Sequence, residues 1–144
     1  MIQLSLPGGW TAVEPRSVGV APDRFVAIRD GGTGFRSNLV VDLDAAPASV
    51  RDLAATRLAG LRATFPDAAI VAEETVGAAD LAVEIGLEAP GAGALRQLVV
   101  LLPAMDASDS EQRVTFAFTL TAPAPLRHDD VAALRHVLDH LRVD

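Results

Sequence analysis

Apolar and polar residues alternate along Arg113–Thr121, which is the most regular two-residue pattern in the chain. Its apolar positions are Val114, Phe116, Phe118 and Leu120, and the residues between them are small or polar. Because successive side chains of a strand point to opposite faces, this period predicts an antiparallel strand with one apolar face. We expect that face to pack beneath a helix, most plainly the C-terminal one.

Several other segments have the length and pattern of strands. Val83–Leu87 also alternates, whereas Leu95–Leu102 is apolar on both faces and is expected to lie centrally, covered on both sides. Earlier strands are predicted at Arg24–Arg29 and Asn38–Leu43. Short loops rich in glycine, proline and serine separate the pieces.

A first helix is predicted from the apolar positions that recur at helical spacing between Val50 and Phe65. Ser49 is a candidate N-cap, with Asp52 three residues further on as in a capping box. Pro66 ends the helix, because a proline disfavours helical geometry at the residue before it. Three arginines are expected mostly on the opposite face of this helix: Arg51, Arg57 and Arg62.

A second helix is predicted from about Arg127 to Leu141. Asp129 and Asp130 lie in its first turn, where the helix dipole favours negative charge. Its apolar stripe consists of Val131, Leu134, Leu138 and Leu141.

The order of these elements predicts an α+β fold. Strand-like segments that follow one another through short turns indicate an antiparallel meander rather than parallel βαβ units. We therefore expect a single domain over residues 1–144, with an antiparallel sheet of about six strands and two main helices packed on it.

Composition and charge exclude several classes of function. The chain carries 12 basic residues, all arginine, against 19 acidic ones, so its net charge of −7 argues against nucleic-acid binding. It has no cysteine, and its longest apolar runs, such as Leu98–Leu102, are far too short to span a bilayer. The N-terminal residues lack the pattern of a signal peptide, so the expected location is cytoplasmic.

The histidines are the first candidates for chemistry. His136 and His140 share a helix face, with Asp139 beside them and His128 two turns upstream, and this spacing suits a metal. Because no HExxH pattern supports it, the favoured interpretation is a solvent-facing polar side of an amphipathic helix.

Carboxylates, glycines and serines offer no stronger case. Glu73 and Glu74 are adjacent on a strand and point apart, and Glu84 and Glu88 lie roughly 13 Å apart on one face, too far for an acid–base pair. The glycine cluster Gly31–Gly34 precedes a strand rather than a helix, so it predicts a hairpin turn and not a phosphate loop. No serine lies in a nucleophile elbow. We expect no catalytic residue, no cofactor and no metal.

Three residues remain as candidates for partner binding or for structural roles: Trp10, Thr115 and Thr119. The lone Trp10 is expected to anchor the N-terminal segment to the core, with an exposed binding patch as the alternative. Thr115 and Thr119 lie on the mildly polar face of the alternating strand. That face is either covered by the first helix or left open for a partner.

The chain resembles the Mog1/PsbP-like fold group, in particular the LpqN-type and DUF1795-like domains of actinobacteria. The residues that carry the resemblance are Pro7–Trp10, Phe35–Val41 leading to the helix from Ser49, Gln97 in the apolar strand, and Val114–Leu120 before the last helix. The resemblance implies an α/β/α sandwich and a non-enzymatic adaptor, with no shared catalytic residues. Unlike the lipoprotein members, this sequence shows no signal sequence and no lipidated cysteine.

Three hypotheses follow for the function. The first is an accessory domain that recognises a protein partner through a sheet edge or an apolar groove, with a homodimer through an exposed edge strand as another option. The second is a helix-grip carrier of the START or Bet v 1 type, which requires an apolar cavity lined by Phe116, Phe118, Leu134 and Leu138. The third and most remote is a metal-dependent enzyme that uses His136 and His140.

Overall fold

The computed structural model describes residues 2–31, 34–44, 50–76, 80–103 and 115–143. Over these ranges the chain forms an α+β fold. The strands are β1 (Ile2–Gln3), β2 (Trp10–Val13), β3 (Phe25–Arg29), β4 (Asn38–Asp44), β5 (Ala69–Val76), β6 (Asp80–Ala89), β7 (Gly93–Pro103), β8 (Thr115–Pro123) and β9 (Arg142–Val143). The helices are α1 (Val50–Thr64) and α2 (His128–Asp139), with a short 3-10 helix at Pro15–Val18.

Seven strands form one antiparallel sheet in the order β2-β3-β4-β8-β7-β6-β5. The predicted meander after the first helix is confirmed, because β5, β6, β7 and β8 pair consecutively. The alternating strand, β8, is the middle one of the seven. The sequence predicted about six strands. It missed β2 at one edge of the sheet and the small ribbon that β1 and β9 form.

The two helices pack on opposite faces of the sheet. Leu53 and Ala54 of α1 pack against one face, chiefly over β6 and β7, in a core that includes Val83 and Leu101. Helix α1 ends at Thr64, before Pro66 as predicted. The proposed N-cap, Ser49, lies outside the described residues.

Helix α2 covers the other face over β8 and its neighbour β4. Leu134 and Val137 pack there against Phe118 and Leu120 of β8 and Leu39 of β4. This confirms that the apolar face of β8 lies beneath the C-terminal helix, although the first two residues of the predicted strand, Arg113 and Val114, lie outside the described ranges. The helix is shorter than predicted by one residue at its start and by two at its end.

The two helices lie over different strands, α1 over β6 and β7 and α2 over β8 and β4. β7 is an interior strand with both faces covered, as its apolar sequence predicted: Val99 belongs to the core under α1 and Val100 to the core under α2. Helix α1 packs on β6 and β7 and therefore covers only part of its side of the sheet. On that side, the surface of β4 and β8 is only partly covered.

Candidate binding cleft beside helix α1

A cleft of about 410 Å³ opens beside α1, over the partly covered half of the sheet. Its floor comes from β4, β8 and β7, and one wall comes from the second half of α1. The residues that line it are Arg24, Asn38, Val40, Asp42, Arg57, Gly60, Leu61, Thr64, Phe65, Gln97, Val99, Thr119 and Thr121.

The floor carries a row of polar side chains that runs across three strands. Thr121 of β8 lies directly opposite Asn38 of β4 on one side and Gln97 of β7 on the other. Directly opposed residues have Cβ atoms about 5 Å apart, so these three side chains form a continuous polar row. In the next row, Thr119 lies between Val40 and Val99. The floor therefore offers amides and hydroxyls on an otherwise apolar surface.

An ion-paired aspartate forms one end of the cleft. Asp42 Oδ1 lies 2.6 Å from Arg57 Nη2 of α1, and Asp42 Oδ2 lies 3.7 Å from Arg24 Nη1. The Asp42 side chain is only 14% exposed, so its pairing with Arg57 is shielded from water and ties the helix to the sheet.

Arg57 was predicted on the exposed face of the first helix, and for this residue the prediction is wrong. Its side chain is 26% exposed and points to the sheet, where Asp42 compensates its charge. Helical periodicity treats an arginine as polar and therefore as exposed, and it takes no account of a partner that arrives from a strand distant in sequence.

The helix wall contains a position with no side chain. A Cβ atom added at Gly60 would meet nothing within 4 Å. Leu61 and Phe65 continue the wall as half-buried apolar side chains that pack against the α1 core. Gly60 therefore keeps the cleft wide in a helix where alanine would otherwise be the more favourable residue.

The lining residues define what the cleft can do chemically. They include two guanidiniums, one carboxylate, two side-chain amides and three hydroxyls, and no histidine or cysteine is among them. Asparagine and glutamine amides each donate and accept hydrogen bonds, whereas a covalent mechanism needs a nucleophile within hydrogen-bond reach of a base. This composition suits reversible recognition of a polar ligand.

The three residues singled out from the sequence do not lie together. Thr119 lines the cleft, whereas Thr115 is the first residue of β8, is 2% exposed and does not line the cleft. Trp10 lies on the other face of the sheet, half-buried against the α2 core, with the Arg29 guanidinium 5.4 Å from its ring centroid. The mildly polar face of β8 is thus covered at one position and open at another. Ala117 packs in the α1 core, whereas Thr119 faces the cleft.

The histidines of α2 stack on each other. The His136 and His140 rings have centroids 4.2 Å apart, and His140 Nδ1 lies 2.8 Å from the His136 carbonyl oxygen. His140 is exposed, but His136 is half-buried and its Nε2 is fully buried, so the solvent-facing interpretation is wrong for His136. His136 lines an open cavity together with Trp10 and Asp129, and its Nε2 is turned away from solvent. In the part of the chain that the structure describes, no group of three or more histidine, aspartate or glutamate residues is arranged to hold a metal.

The other sequence candidates lie apart from the cleft. Glu73 pairs with Arg51 of α1, whereas the Glu74 side chain lies outside the description. Glu84 is half-buried on β6 and Glu88 is exposed. Gly31 and Gly34 have positive φ angles, and their segment joins the antiparallel pair β3 and β4, as predicted for a hairpin.

The space required by the helix-grip alternative is filled. Phe116, Phe118 and Leu134 are at most 6% exposed and pack in the α2 core, with Leu138 against them. The crevice that remains beneath α2, beside Leu120 and Val137, does not admit a water-sized sphere. An apolar ligand therefore has no room there in this structure.

Sequence reasoning gave no role to most residues of the cleft. Asn38 and Gln97 entered only as members of predicted strands and of the resemblance, and Arg24, Asp42 and Gly60 were given no functional role. Gln97 did leave a signal, because it and its neighbour Arg96 are the only polar residues in the predicted strand Leu95–Leu102. The remaining residues come together only through strand register and helix placement.

None of the helices in the described residues has the length and apolar character needed to cross a membrane.

Fold and cleft together define the class: an antiparallel α+β domain with a helix on each face and a polar cleft beside one of them. Among solved structures, the chain is similar to LpqN of Mycobacterium tuberculosis, a protein involved in cell envelope biogenesis. The TM-score is 0.60 at 15% sequence identity, over 97% of this chain and 81% of that one. No protein-family model and no curated protein matches the sequence.

This similarity confirms an LpqN-like fold. At so low an identity it shows the fold and no more. The broader Mog1/PsbP-like and DUF1795-like assignments, and an actinobacterial source, stay predictions.

Proposed function

We propose that this chain is a non-enzymatic accessory domain that binds a segment of a protein partner in the cleft beside α1. The observation that carries the proposal is the polar row of Asn38, Thr121 and Gln97 in register across three strands of an open cleft. A peptide main chain presents alternating N–H and C=O groups, and side-chain amides and hydroxyls match both.

Arg24 at one end of the cleft offers a positive charge to the partner. Arg24 is 45% exposed and lies 3.7 Å from Asp42, a looser pairing than the 2.6 Å contact that holds Arg57. Its guanidinium is therefore free to turn toward a carboxylate or carbonyl of the partner at little energetic cost. The half-buried Phe65 and Leu61 supply apolar contact at the other end of the cleft.

The LpqN-like fold supports an accessory role without identifying the partner. LpqN is involved in cell envelope biogenesis, and we propose a supporting role of the same kind for this domain. A cytoplasmic location, expected from the sequence, is part of the proposal. Subcellular fractionation of the native host tests it separately: recovery in the membrane or wall fraction would contradict the location and leave the proposed cleft intact.

Site-specific photo-crosslinking tests the cleft itself. A benzophenone side chain introduced at position 60 points into open space, because a Cβ there meets nothing within 4 Å. The matched control places the same group at Ala63, an exposed position of the same helix that does not line the cleft. We expect a discrete protein adduct in the native host from position 60 only.

The adduct should also depend on the polar row. Replacing Asn38 and Gln97 by alanine in the position-60 variant should reduce the adduct strongly while the variant stays folded by circular dichroism. Equal adducts from positions 60 and 63, or none from position 60, would refute recognition through this cleft.

A second copy of the chain is an alternative partner, through the edge strand β5. Ile70 and Val71 on this edge are 42% and 49% exposed, which is unusual for large apolar side chains in the structure. Sedimentation over a range of concentrations tests this: a dimer that Val71→Lys dissociates would support it, and a monomer at every concentration would exclude it.

A further inference from the structure

A second charged cavity lies on the other side of the molecule, beside the start of α2. It has a volume of about 260 Å³ and is formed by residues 31 and 35–37 between β3 and β4, the end of β8 and the residues around the start of α2. Its lining consists of Arg29, Gly31, Phe35, Arg36, Ser37, Pro123, Arg127 and Asp130.

Positive charge is in excess in this cavity. Three guanidiniums line it against a single carboxylate, that of Asp130. That carboxylate already has a charged neighbour: Oδ1 lies 2.8 Å from Arg29 Nη2, an ion-pair contact without the geometry of a hydrogen bond. Its Oδ2 accepts the backbone N–H of Arg127 at 3.2 Å. Within the described ranges, the side chains of Arg36 and Arg127 have no acidic partner. The cavity is therefore cationic in a chain whose net charge is −7.

Arg29 is held in place before any ligand arrives. Its guanidinium lies 5.4 Å from the centroid of the Trp10 ring, and its partner Asp130 is 2% exposed. A cation that packs on an aromatic face and pairs with a buried carboxylate loses little conformational freedom on binding an anion. Arg29 thus forms a rigid side of the cavity, and the exposed Arg36 and Arg127 form the adjustable sides.

A buried hydroxyl adds a hydrogen-bond donor to the wall. Ser37 is 7% exposed and lines the cavity between Arg36 and the start of β4. Its backbone carbonyl accepts the N–H of Arg29, which fixes the residue against β3. A small polar side chain fixed beside three guanidiniums is an arrangement that suits the oxygens of an oxyanion.

We propose that this cavity binds a phosphorylated ligand through Arg29, Arg36 and Arg127. Guanidiniums bind phosphate oxygens in a bidentate manner, and more than one of them is needed to balance a phosphate that carries nearly two negative charges. The N-terminal end of α2, which starts at His128, adds its positive dipole end at the same place. This site is separate from the proposed protein-binding cleft, which lies on the opposite face of the sheet.

The test is a titration of the ¹⁵N-labelled full chain with pyrophosphate and with inorganic phosphate, followed by NMR. We expect saturable shifts of the amide resonances of Arg36, Ser37, Arg127 and His128, with affinity in the millimolar range or tighter and weaker at higher salt. Absence of saturable shifts with both anions would overturn the proposal, and so would an equal response to acetate.

Two double variants with the same net charge distinguish binding in this cavity from nonspecific attraction of anions to arginine. The double variant Arg36→Gln/Arg127→Gln should weaken pyrophosphate binding by about tenfold or more. The control Arg16→Gln/Arg135→Gln changes the net charge equally at two exposed positions outside the cavity and should bind as the native chain does. Equal losses in both variants would overturn the proposal. Circular dichroism shows that each variant is folded.

The phosphate could belong to a soluble molecule or to a lipid headgroup, and a flotation assay distinguishes the two. Co-flotation with phosphatidylglycerol vesicles but not with phosphatidylcholine vesicles, lost in the cavity variant and kept in the control, would assign a lipid headgroup. Pyrophosphate binding without co-flotation would assign a soluble phosphorylated ligand.

Discussion

The two faces of the sheet differ in how closely their helix fits, although the same central strand supplies both. On the α2 face, β8 presents Phe116, Phe118 and Leu120, which meet the helix in a closed core. On the α1 face the same strand presents Ala117, Thr119 and Thr121, and a cleft of about 410 Å³ remains beside the helix. Large side chains close one face and small ones leave room on the other, so stability and recognition are divided between alternate residues of one strand.

The largest expected effect comes from breaking the closed face. Phe118 is fully buried, and Phe118→Ala should lower the free energy of unfolding by about 3–5 kcal/mol because it leaves a cavity in the α2 core. Thr119 is the next residue and faces the cleft, so Thr119→Ala should lower the free energy of unfolding by less than about 1 kcal/mol. Chemical denaturation of both variants measures the difference. Equal costs would contradict the division between the two faces.

Removing the charge at the end of the cleft tests how firmly α1 is tied to the sheet. Asp42→Ala leaves Arg57 without its partner and should destabilise the fold by about 1–3 kcal/mol, since the contact is shielded from water. Arg24→Ala, which removes the longer and more exposed contact, should cost less than about 0.5 kcal/mol. If the Arg24 variant loses more stability than the Asp42 variant, Asp42 does not tie α1 to β4 as described.

Filling the empty helix position should stabilise the fold while narrowing the cleft. Gly60→Ala places a Cβ where nothing lies within 4 Å and should raise stability by up to about 1 kcal/mol, because alanine is the better helix former. Thermal unfolding measures this change. A destabilised alanine variant would show that the space beside Gly60 is not open.

The smallest effect is expected at the exposed end of α1. Arg51 pairs with Glu73 across to the edge strand β5, but its side chain is 68% exposed. Arg51→Ala should therefore change the free energy of unfolding by less than about 0.5 kcal/mol. A cost comparable to that of Asp42→Ala in the same denaturation experiment would mean that α1 is held as much by its edge contact as by its cleft contact.

Local patterns were enough to predict the closed face. The period of two in β8 and the apolar stripe of α2 identify Phe118 and Leu134 as core positions from the sequence alone, because each pattern reports on its own neighbourhood. The edge strand β2 was missed since only four residues, Trp10–Val13, form it and they do not alternate clearly.

The cleft face could not be predicted in the same way. Asp42 lies on a strand and Arg57 on the following helix, 15 residues further along the chain. Neither residue belongs to a repeating pattern that would indicate the contact. Thr121 acquires its neighbours Asn38 and Gln97 only from the register of two strand pairs. Such sites depend on how the elements meet, and a single sequence carries little information about that.

Trp10 gives the molecule a built-in optical reporter. It is the only tryptophan in the chain, so all indole emission comes from one place, 5.4 Å from the guanidinium of Arg29. The same guanidinium lines the proposed phosphate-binding cavity beside the start of α2, whereas the cleft beside α1 lies on the opposite face of the sheet. We expect a phosphorylated ligand to change the fluorescence of the unmodified protein and a partner in the cleft to leave it unchanged, so that one spectrum distinguishes occupancy of the two sites.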